Sequence, residues 1–536
     1  MAQLRIVEAF DLLQRARACR DADQLTAAAR RPRWRALSRS IWWLARVRPA
    51  LLSRNSRVSR VLHRLADEED VLQHLQATAA RDDERRRGHW ELAKYLLQPA
   101  RFNSNARLRT ALIAATESIH PVIKFHAAIA LARVLFDRRE YTESLAAAKI
   151  ALSASPSHLR GMRSKANALI ALGRIEEARQ IYIRIVAAEP ESTEAATKLR
   201  ALESLPEEIE FSPRPAPAEN RTRLLVGIGG GIGDMLHATP SIRNIAERTG
   251  SLVDVIVFAD NPGAEFLVRN DRYVKGVFPV CPEVFDRRYE TVFLTHSFGP
   301  LRFPFNAERI VASADWRSFR PGALPETVFN LEAARALLGI PFEEADASGY
   351  FVADLERRWP KETLVGVHAG SKTGRWLSKR WPHFPELAGR LTARGVRVAA
   401  FGTRDEYVPG TEDRTGGSIE EMCRSMLDCT HFVSNDSGAM HIASALHIPV
   451  LALFAPTDPL THLPLRETTV AVVLKRRCAP CEVKNHRYFA SGACRCAAGI
   501  GVESVERKVL DMLDLETQPG SGYSTAASIS SAEGQA

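Results

Sequence analysis

Residues 223–240 read RLLVGIGGGIGDMLHATP: a branched apolar run, then five glycines within 227–233, then a helix-like stretch opening at Asp234. A β-branched run closed by Gly227 to Asp234 (GIGGGIGD) predicts a strand that turns tightly into a helix and leaves backbone amides facing outward. The glycines do not follow the G-x-G-x-x-G spacing of dinucleotide sites. Downstream the same grammar repeats, with strands predicted at 253–258, 274–279 and 291–296 and a helix over 325–338 that stops at Gly339. A second series follows at 364–369, 396–402, 431–434, 450–454 and 470–474, with a closing helix over 502–513. Short apolar strands alternating with helices mean parallel α/β layers, and two series mean two Rossmann-like lobes with a cleft between them. The predicted boundaries are 221–355 for the first lobe and 356–515 for the second, with a disordered tail at 516–536, which is small and polar.

The other half of the chain is written differently. Apolar residues fall at helical spacing through residues 1–120, without period-two alternation. Ala132 to Pro156 then matches Ala166 to Pro190 at an offset of 34: Ala132 with Ala166, Leu135 with Leu169, Glu143 with Glu177, Pro156 with Pro190. That period resembles the tetratricopeptide repeat, in which small residues let paired helices approach and proline ends the second helix. The repeats are assigned to 121–204, and a linker to 205–220, rich in Pro and acid, where backbone tends to be extended. Net charge is +10, concentrated in Arg15 to Arg64, where fourteen arginines and no lysine meet only Asp21 and Asp23. With Trp34, Trp42 and Trp43 interleaved, this segment reads either as a solvated helix face or as a peripheral contact with an anionic membrane surface. No base-reading module accompanies it, so nucleic acid is not expected as a partner. The chain shows no run of apolar residues long enough to span a bilayer and no cleavable leader at its start, which predicts a cytoplasmic protein.

Chemistry-bearing motifs cluster at the predicted strand ends. Gly233-Asp234 through Pro240 resembles the G-D-x-x-x-x-x-P stretch that opens glycosyltransferase family 9, the lipopolysaccharide heptosyltransferases. Four further blocks follow in the family's order: His368-Ala369-Gly370-Ser371, Lys379-Arg380-Trp381-Pro382, Ser434 to His441 (SNDSGAMH) and Phe454 to Pro459 (FAPTDP). Ala369 replaces the usual proline and Ala455 the usual glycine. The resemblance implies a GT-B architecture preceded by an all-α helical-repeat region, and transfer of heptose from ADP-heptose to an acceptor hydroxyl with inversion. It implies that Asp234 is the base, with Gly231, Gly233 and Thr239 forming the acceptor-side loop. A carboxylate helping to remove the hydroxyl proton is worth about 10²–10⁴ in rate; an aspartate here can equally cap the helix.

On the nucleotide-sugar side the resemblance points to Ser371, Lys379, Arg380, Glu406, Asp436, Ser437, Gly438, Ala439 and His441. Physically, the Asp436 to His441 turn would offer amides and a helix dipole to a diphosphate, and Lys379 would meet charge on the leaving group. Glu406 is favoured slightly over Asp405 as the ribose ligand. The 411–422 stretch, TEDRTGGSIEEM, departs from the family's usual segment and leaves the base pocket undefined.

Cys478-Ala-Pro-Cys481 and Cys494-Arg-Cys496 place four of eight cysteines within nineteen residues. C-x₂-C followed by C-x-C suits tetrahedral thiolate ligation of Zn or Fe, the alternative being free or paired cysteines. A similar cysteine finger occurs in the protein-modifying autotransporter heptosyltransferases, where it holds iron. Cys19, Cys281, Cys423 and Cys429 read as buried small apolar residues. By resemblance, transfer itself needs no cofactor. Two acceptors compete: a lipopolysaccharide precursor at the inner face of the inner membrane, or a protein hydroxyl, with the repeats docking a protein partner. The rival from another class is a repeat scaffold whose lobes only sense a nucleotide sugar.

Overall fold

In this computed structural model the chain is described at residues 76, 79–80, 86–96, 105–210, 221–516 and 529–532, apart from 260–262, 270–271, 300, 318, 354, 356–359, 361, 475, 485–488 and 490–494. The arginine-rich segment, Cys19 and Cys494 lie outside the described residues. Two compact units divide the chain, Met1–Ala168 and Leu169–Ala536.

The first unit contains helices α1 (Arg87–Leu96), α2 (Asn105–Thr116), α3 (Pro121–Asp137) and α4 (Tyr141–Ala154), and the start of α5 (Leu159–Ala171). Pro121 opens α3 at a position where a missing N–H costs nothing. Helices α3 and α4 meet through alanines, with Ala127, Ala128, Ala132, Ala147, Ala148 and Ala151 all buried. With these alanines at the seam the helices sit close enough for Ser144 Oγ to donate to the carbonyl of Ala132 at 2.7 Å. Ala132, one of the residues matched at the offset of 34, lies in this seam.

The second unit opens with α6 (Ile175–Ala188) and α7 (Thr193–Glu203), the latter capped by Ser192, whose side chain accepts from Ala195 N. The 205–220 segment begins docked: the Ile209 amide donates to Gly173 O at 2.9 Å, and Glu208 bridges to Arg174. Gly173 stands at φ +73°, where a Cβ would fall 2.0 Å from Ile209 O, so glycine is required for that docking.

The first lobe is a five-stranded parallel sheet in the order β3-β2-β1-β4-β5, from β1 (Arg221–Gly230), β2 (Val253–Ala259), β3 (Val274–Pro279), β4 (Arg288–Leu294) and β5 (Ala307–Ala312). Helix α8 (Ile232–Thr249) leaves the end of β1, and α9 (Glu326–Leu338) ends at Gly339 in the left-handed region. The second sheet is also parallel, ordered β12-β11-β10-β9-β6-β7-β8, from β6 (Leu364–His368), β7 (Arg397–Gly402), β8 (Glu412–Thr415), β9 (His431–Asn435), β10 (Val450–Phe454), β11 (Thr469–Leu474) and β12 (Ile529–Ala532). Strands β6, β9 and β10 are buried along their whole length, as continuous apolar runs covered on both faces must be. Their cover includes α10 (Phe384–Ala393), α11 (Ile419–Met426), α12 (Gly438–Ala445) and α13 (Val502–Glu516). The two sheets make this a GT-B fold preceded by helical repeats.

Strands β5, β8 and β12 were not in the sequence reading. β8 is Glu-Asp-Arg-Thr and lies at a sheet edge, so charge there is no obstacle to pairing. β12 corrects the expectation of a wholly disordered 516–536 tail: Ile529–Ala532 pairs parallel with β11, whose outer backbone groups would otherwise lack partners.

The lobes meet directly. Helix α8 packs on α12, and Met235, Leu236, Ala439, Met440 and Ala443 belong to one apolar cluster. A polar chain adds a second tie: His237 Nδ1 to Thr327 Oγ1 at 2.8 Å, Thr327 Oγ1 to Tyr350 OH at 2.9 Å, and the Leu465 amide to Tyr350 OH at 3.2 Å.

Trp381 is the pin of the second lobe. It is fully buried; its Nε1 donates to Ile500 O at 2.9 Å and its backbone N donates to Asn435 Oδ1 at 3.0 Å. Trp381→Ala is expected to lower stability by about 3–5 kcal/mol, read as a lower urea midpoint, with Trp381→Phe clearly milder.

Candidate active site

The carboxyl ends of parallel strands are where open α/β sheets bind ligands, and here the ends of β1, β6, β7 and β9 converge on one cleft of about 440 Å³. Asp234 stands in the first turn of α8 and lines it, with Gly231, Ile232, Gly233 and His237. One Asp234 oxygen, Oδ2, accepts from Gly231 N at 2.6 Å, which closes the loop as a cap; the carboxylate has a second oxygen to offer. Gly233 lets the loop touch the other lobe, since a Cβ there would lie 2.8 Å from His441 Cδ2. Thr239 does not reach the cleft. Two helical turns past Gly231 it faces the core, donating to Leu236 O at 2.7 Å and accepting from Phe351 N at 3.4 Å.

From the second lobe come Ser371, Lys379, Glu406, Asp436, Ser437, Gly438, Ala439 and His441. Asp436 ends β9 with its side chain almost fully enclosed; Lys379 Nζ lies 2.6 Å from its Oδ2, which also accepts from Thr457 Oγ1 at 2.6 Å. Burial opposes a charge there, but Lys379, a cationic His462 and the Thr457 hydrogen bond hold the carboxyl well below the usual carboxylate range. Asp436 Oδ2 is thus shared by Lys379 and Thr457. The ammonium also rests over the Trp376 ring, 4.4 Å from its centroid.

Glu406 sits in the cleft wall while Asp405 is exposed and does not line it. Its partners are Arg380 Nη2 at 3.2 Å, His368 Nε2 at 3.4 Å and the Thr403 amide at 3.0 Å. Burial raises its pKa, yet the hydrogen bond and charge of His368 and the Thr403 contacts bring it down to about 2. Arg380 is behind the wall, clamping Ser371 O at 3.0 Å and Glu406 together. Ser437 Oγ bonds His368 Nδ1 and Ser434 Oγ, each at 3.0 Å. His441 is buried against His237, ring centroids 4.5 Å apart, and burial pushes it down to about 3, so it is a neutral wall residue at pH 7.

The cleft also contains residues the motifs did not flag: Lys372, Trp376, His462, and Gly417, Ser418, Ile419 and Met422 at the start of α11. The last group belongs to the TEDRTGGSIEEM stretch, whose Ser418/Glu421 capping box could have marked a helix start facing the cleft. Beside Asp234, burial depresses His296 to about 4 and pushes the Glu326 carboxyl well up, with the Asp234 charge adding to the latter. Neither had a sequence signal, because only the fold brings residues 296 and 326 to residue 234.

Cys478 is exposed and Cys481 and Cys496 are buried, the latter two in the second lobe's apolar core. Among the described residues no group of three His, Cys, Asp or Glu side chains is arranged to hold a metal ion, so the described cysteines alone do not build the expected centre. Cys423 and Cys429 are fully buried, as read, and Cys281 is half-buried.

Residues 353–490 match the model of glycosyltransferase family 9 (heptosyltransferase), and residues 127–202 match a tetratricopeptide repeat. The chain is 28% identical over 185 residues to lipooligosaccharide heptosyltransferase 2 of Haemophilus influenzae, covering 31% of this chain and 47% of that protein. Over 113 residues it is 34% identical to lipopolysaccharide heptosyltransferase 2 of Escherichia coli, covering 18% of this chain and 32% of that one. The chain thus spans less than half the length of these relatives. A solved family 9 glycosyl transferase from Veillonella parvula aligns over 55% of this chain and 97% of its own, with a TM-score of 0.46 and 14% identity. Residues 353–490 are therefore a glycosyltransferase family 9 (heptosyltransferase) domain, in a chain that carries a tetratricopeptide repeat at residues 127–202.

Proposed function

We propose that this chain is an inverting glycosyltransferase that moves a heptose from ADP-heptose to an acceptor hydroxyl of a lipopolysaccharide precursor. The observation that carries the reading is the shared cleft: Asp234 from the first lobe lines the same cavity as Lys379, Asp436 and the start of α12 from the second. In the step, the acceptor oxygen forms a bond to the anomeric carbon as the bond from that carbon to the diphosphate oxygen breaks. Asp234 takes the hydroxyl proton, and the electron pair leaves with ADP. Charge growing on the diphosphate meets the first amides of α12 and the Lys379 ammonium, which has three donors and gives one to Asp436. Asp436 and Thr457 act by fixing that ammonium in place before reaction, where preorganised charge is most effective. Glu406, held ionised, is positioned to accept from ribose hydroxyls. The names of the curated relatives support a heptose and a lipopolysaccharide-type acceptor.

A protein hydroxyl is the second acceptor reading, favoured by one feature: the tetratricopeptide repeat in the same chain. Purified protein supplied with labelled ADP-heptose and separate lipid-core and protein acceptors should put label in the lipid fraction; label confined to protein would replace the first reading with the second. Donor binding without label in either fraction would leave a sensing scaffold.

Asp234→Ala is expected to lower kcat at least about 10²-fold while ADP affinity stays within about twofold of wild type. Near-normal turnover would remove Asp234 from the mechanism. Lys379→Ala should instead weaken ADP binding and lower kcat together, since it strips the diphosphate of a charged donor and leaves Asp436 buried without its partner.

A further inference from the structure

His462 and Glu482 belong to none of the family-like blocks, yet they form a built arrangement at the cleft. His462 ends the short turn Pro459–His462, capped by Asp458, whose Oδ1 accepts from Leu460 N at 3.0 Å. The turn is fixed from both sides. Gly322 N donates to the fully buried Thr461 Oγ1 at 2.6 Å, and Glu482 N donates to Pro456 O at 2.9 Å. Glu482, only 8% exposed, places both carboxylate oxygens on His462 Nε2, at 2.9 and 3.1 Å, and accepts from Asp458 N at 3.3 Å. A buried carboxylate gripping one ring nitrogen with both oxygens fixes the ring plane and favours the imidazolium. That leaves Nδ1 as the ring nitrogen not engaged by Glu482, on a side chain that lines the cleft together with Asp234, Lys379, Asp436 and His441.

We infer that His462 is a ligand-contacting residue, donating from Nδ1 to a phosphate oxygen of a bound nucleoside diphosphate, and that Glu482 is its positioning residue. The inference rests on the nucleotide-sugar reading above and adds to it a second cationic donor, lining the same cleft as Lys379 and Asp436. The charged groups facing His462 are Glu482, Asp436 and Lys379, with the neutral rings of His237 and His441 beside it. A pair serving only to staple the turn would have no reason to sit in the cleft wall, and its loss would not discriminate between ligands with and without phosphate.

The test compares ADP with adenosine, which lacks the diphosphate, on the full chain by ligand-observed NMR. His462→Gln should weaken ADP at least about tenfold, the worth of a charge-assisted hydrogen bond, while adenosine affinity stays near wild type. Glu482→Gln, which keeps the imidazole but loosens its aim, should weaken ADP by a smaller factor and adenosine not at all. ADP affinity within twofold of wild type in His462→Gln overturns the inference, as does an equal loss for both ligands. Should His462→Gln fail to fold, Glu482→Gln decides on the same two outcomes. Wild-type protein that binds neither ligand removes the nucleotide reading and this inference together, whereas wild-type ADP binding undisturbed in both variants removes His462 alone.

Discussion

Lys379 donating to Asp436 across 2.6 Å, with both side chains largely buried, is the contact around which the second lobe's cleft face is arranged. Taking two charges out of water costs several kcal/mol for each ion, and only close geometry with further hydrogen bonds offsets it. Each partner is accordingly held by rigid structure. Asp436 stands at the end of β9, a wholly buried central strand, and Thr457 donates to the same oxygen. Lys379 precedes a tryptophan locked between Asn435 and Ile500, so the motif's Lys-Arg-Trp-Pro is a lever whose buried end fixes its charged end. Asn435 completes the lock, since its amide nitrogen donates to Ala369 O at 2.9 Å and to Gly370 O at 3.2 Å. One asparagine therefore ties three of the family-like blocks into a single unit. The replacement of proline by Ala369 leaves that tie in place because it uses a carbonyl, which every residue has.

The first lobe reaches this unit by close approach of backbone. Gly233 lies against His441, and Gly438 against Ile232, where a Cβ would come within 2.8 Å of the isoleucine Cβ. Apolar packing of α8 on α12 then sets the position of Asp234 relative to the Asp436 turn. The glycine-rich loop and the Asp436 turn are thus two halves of one surface, and their sequences constrain each other. Larger residues at either glycine would force the lobes apart and separate the proposed base from the leaving group.

Most of the fold was legible, because buried parallel strands write themselves as unbroken apolar runs: β6, β9 and β10 fell within a residue or so of their predicted limits. Edge strands escaped for the converse reason. β8 has no apolar residue to signal it, and β12 lies in a segment of small polar residues whose pairing depends on a distant strand. That Asp234, Lys379, Glu406 and Asp436 would line one cleft was legible through local motifs. Thr239 was misread because motif spacing gives proximity in sequence, whereas helical rotation decides which side chains face the cleft; one helix presents Asp234 to the cavity and turns Thr239 into the core. His462, His296 and Glu326 were invisible, since their significance lies wholly in contacts across the fold.

Charge in the cleft follows a pattern that no single motif discloses. Two of its basic groups are already matched, Lys379 by Asp436 and His462 by Glu482, and Arg380 behind the wall is matched by Glu406. An anion seat built as bare positive charge would repel itself and would draw any polyanion from a distance. Matched pairs avoid both effects while keeping the donors aimed, because an ammonium or imidazolium that gives one hydrogen to a carboxylate retains others for a ligand. For the proposed diphosphate, recognition would then rest on short-range geometry, with α12 amides and fixed donors in place before charge develops, and such preorganised dipoles need no rearrangement. On this account the carboxylates Asp436, Glu406 and Glu482 would not compete with the proposed diphosphate but would aim the donors that meet it.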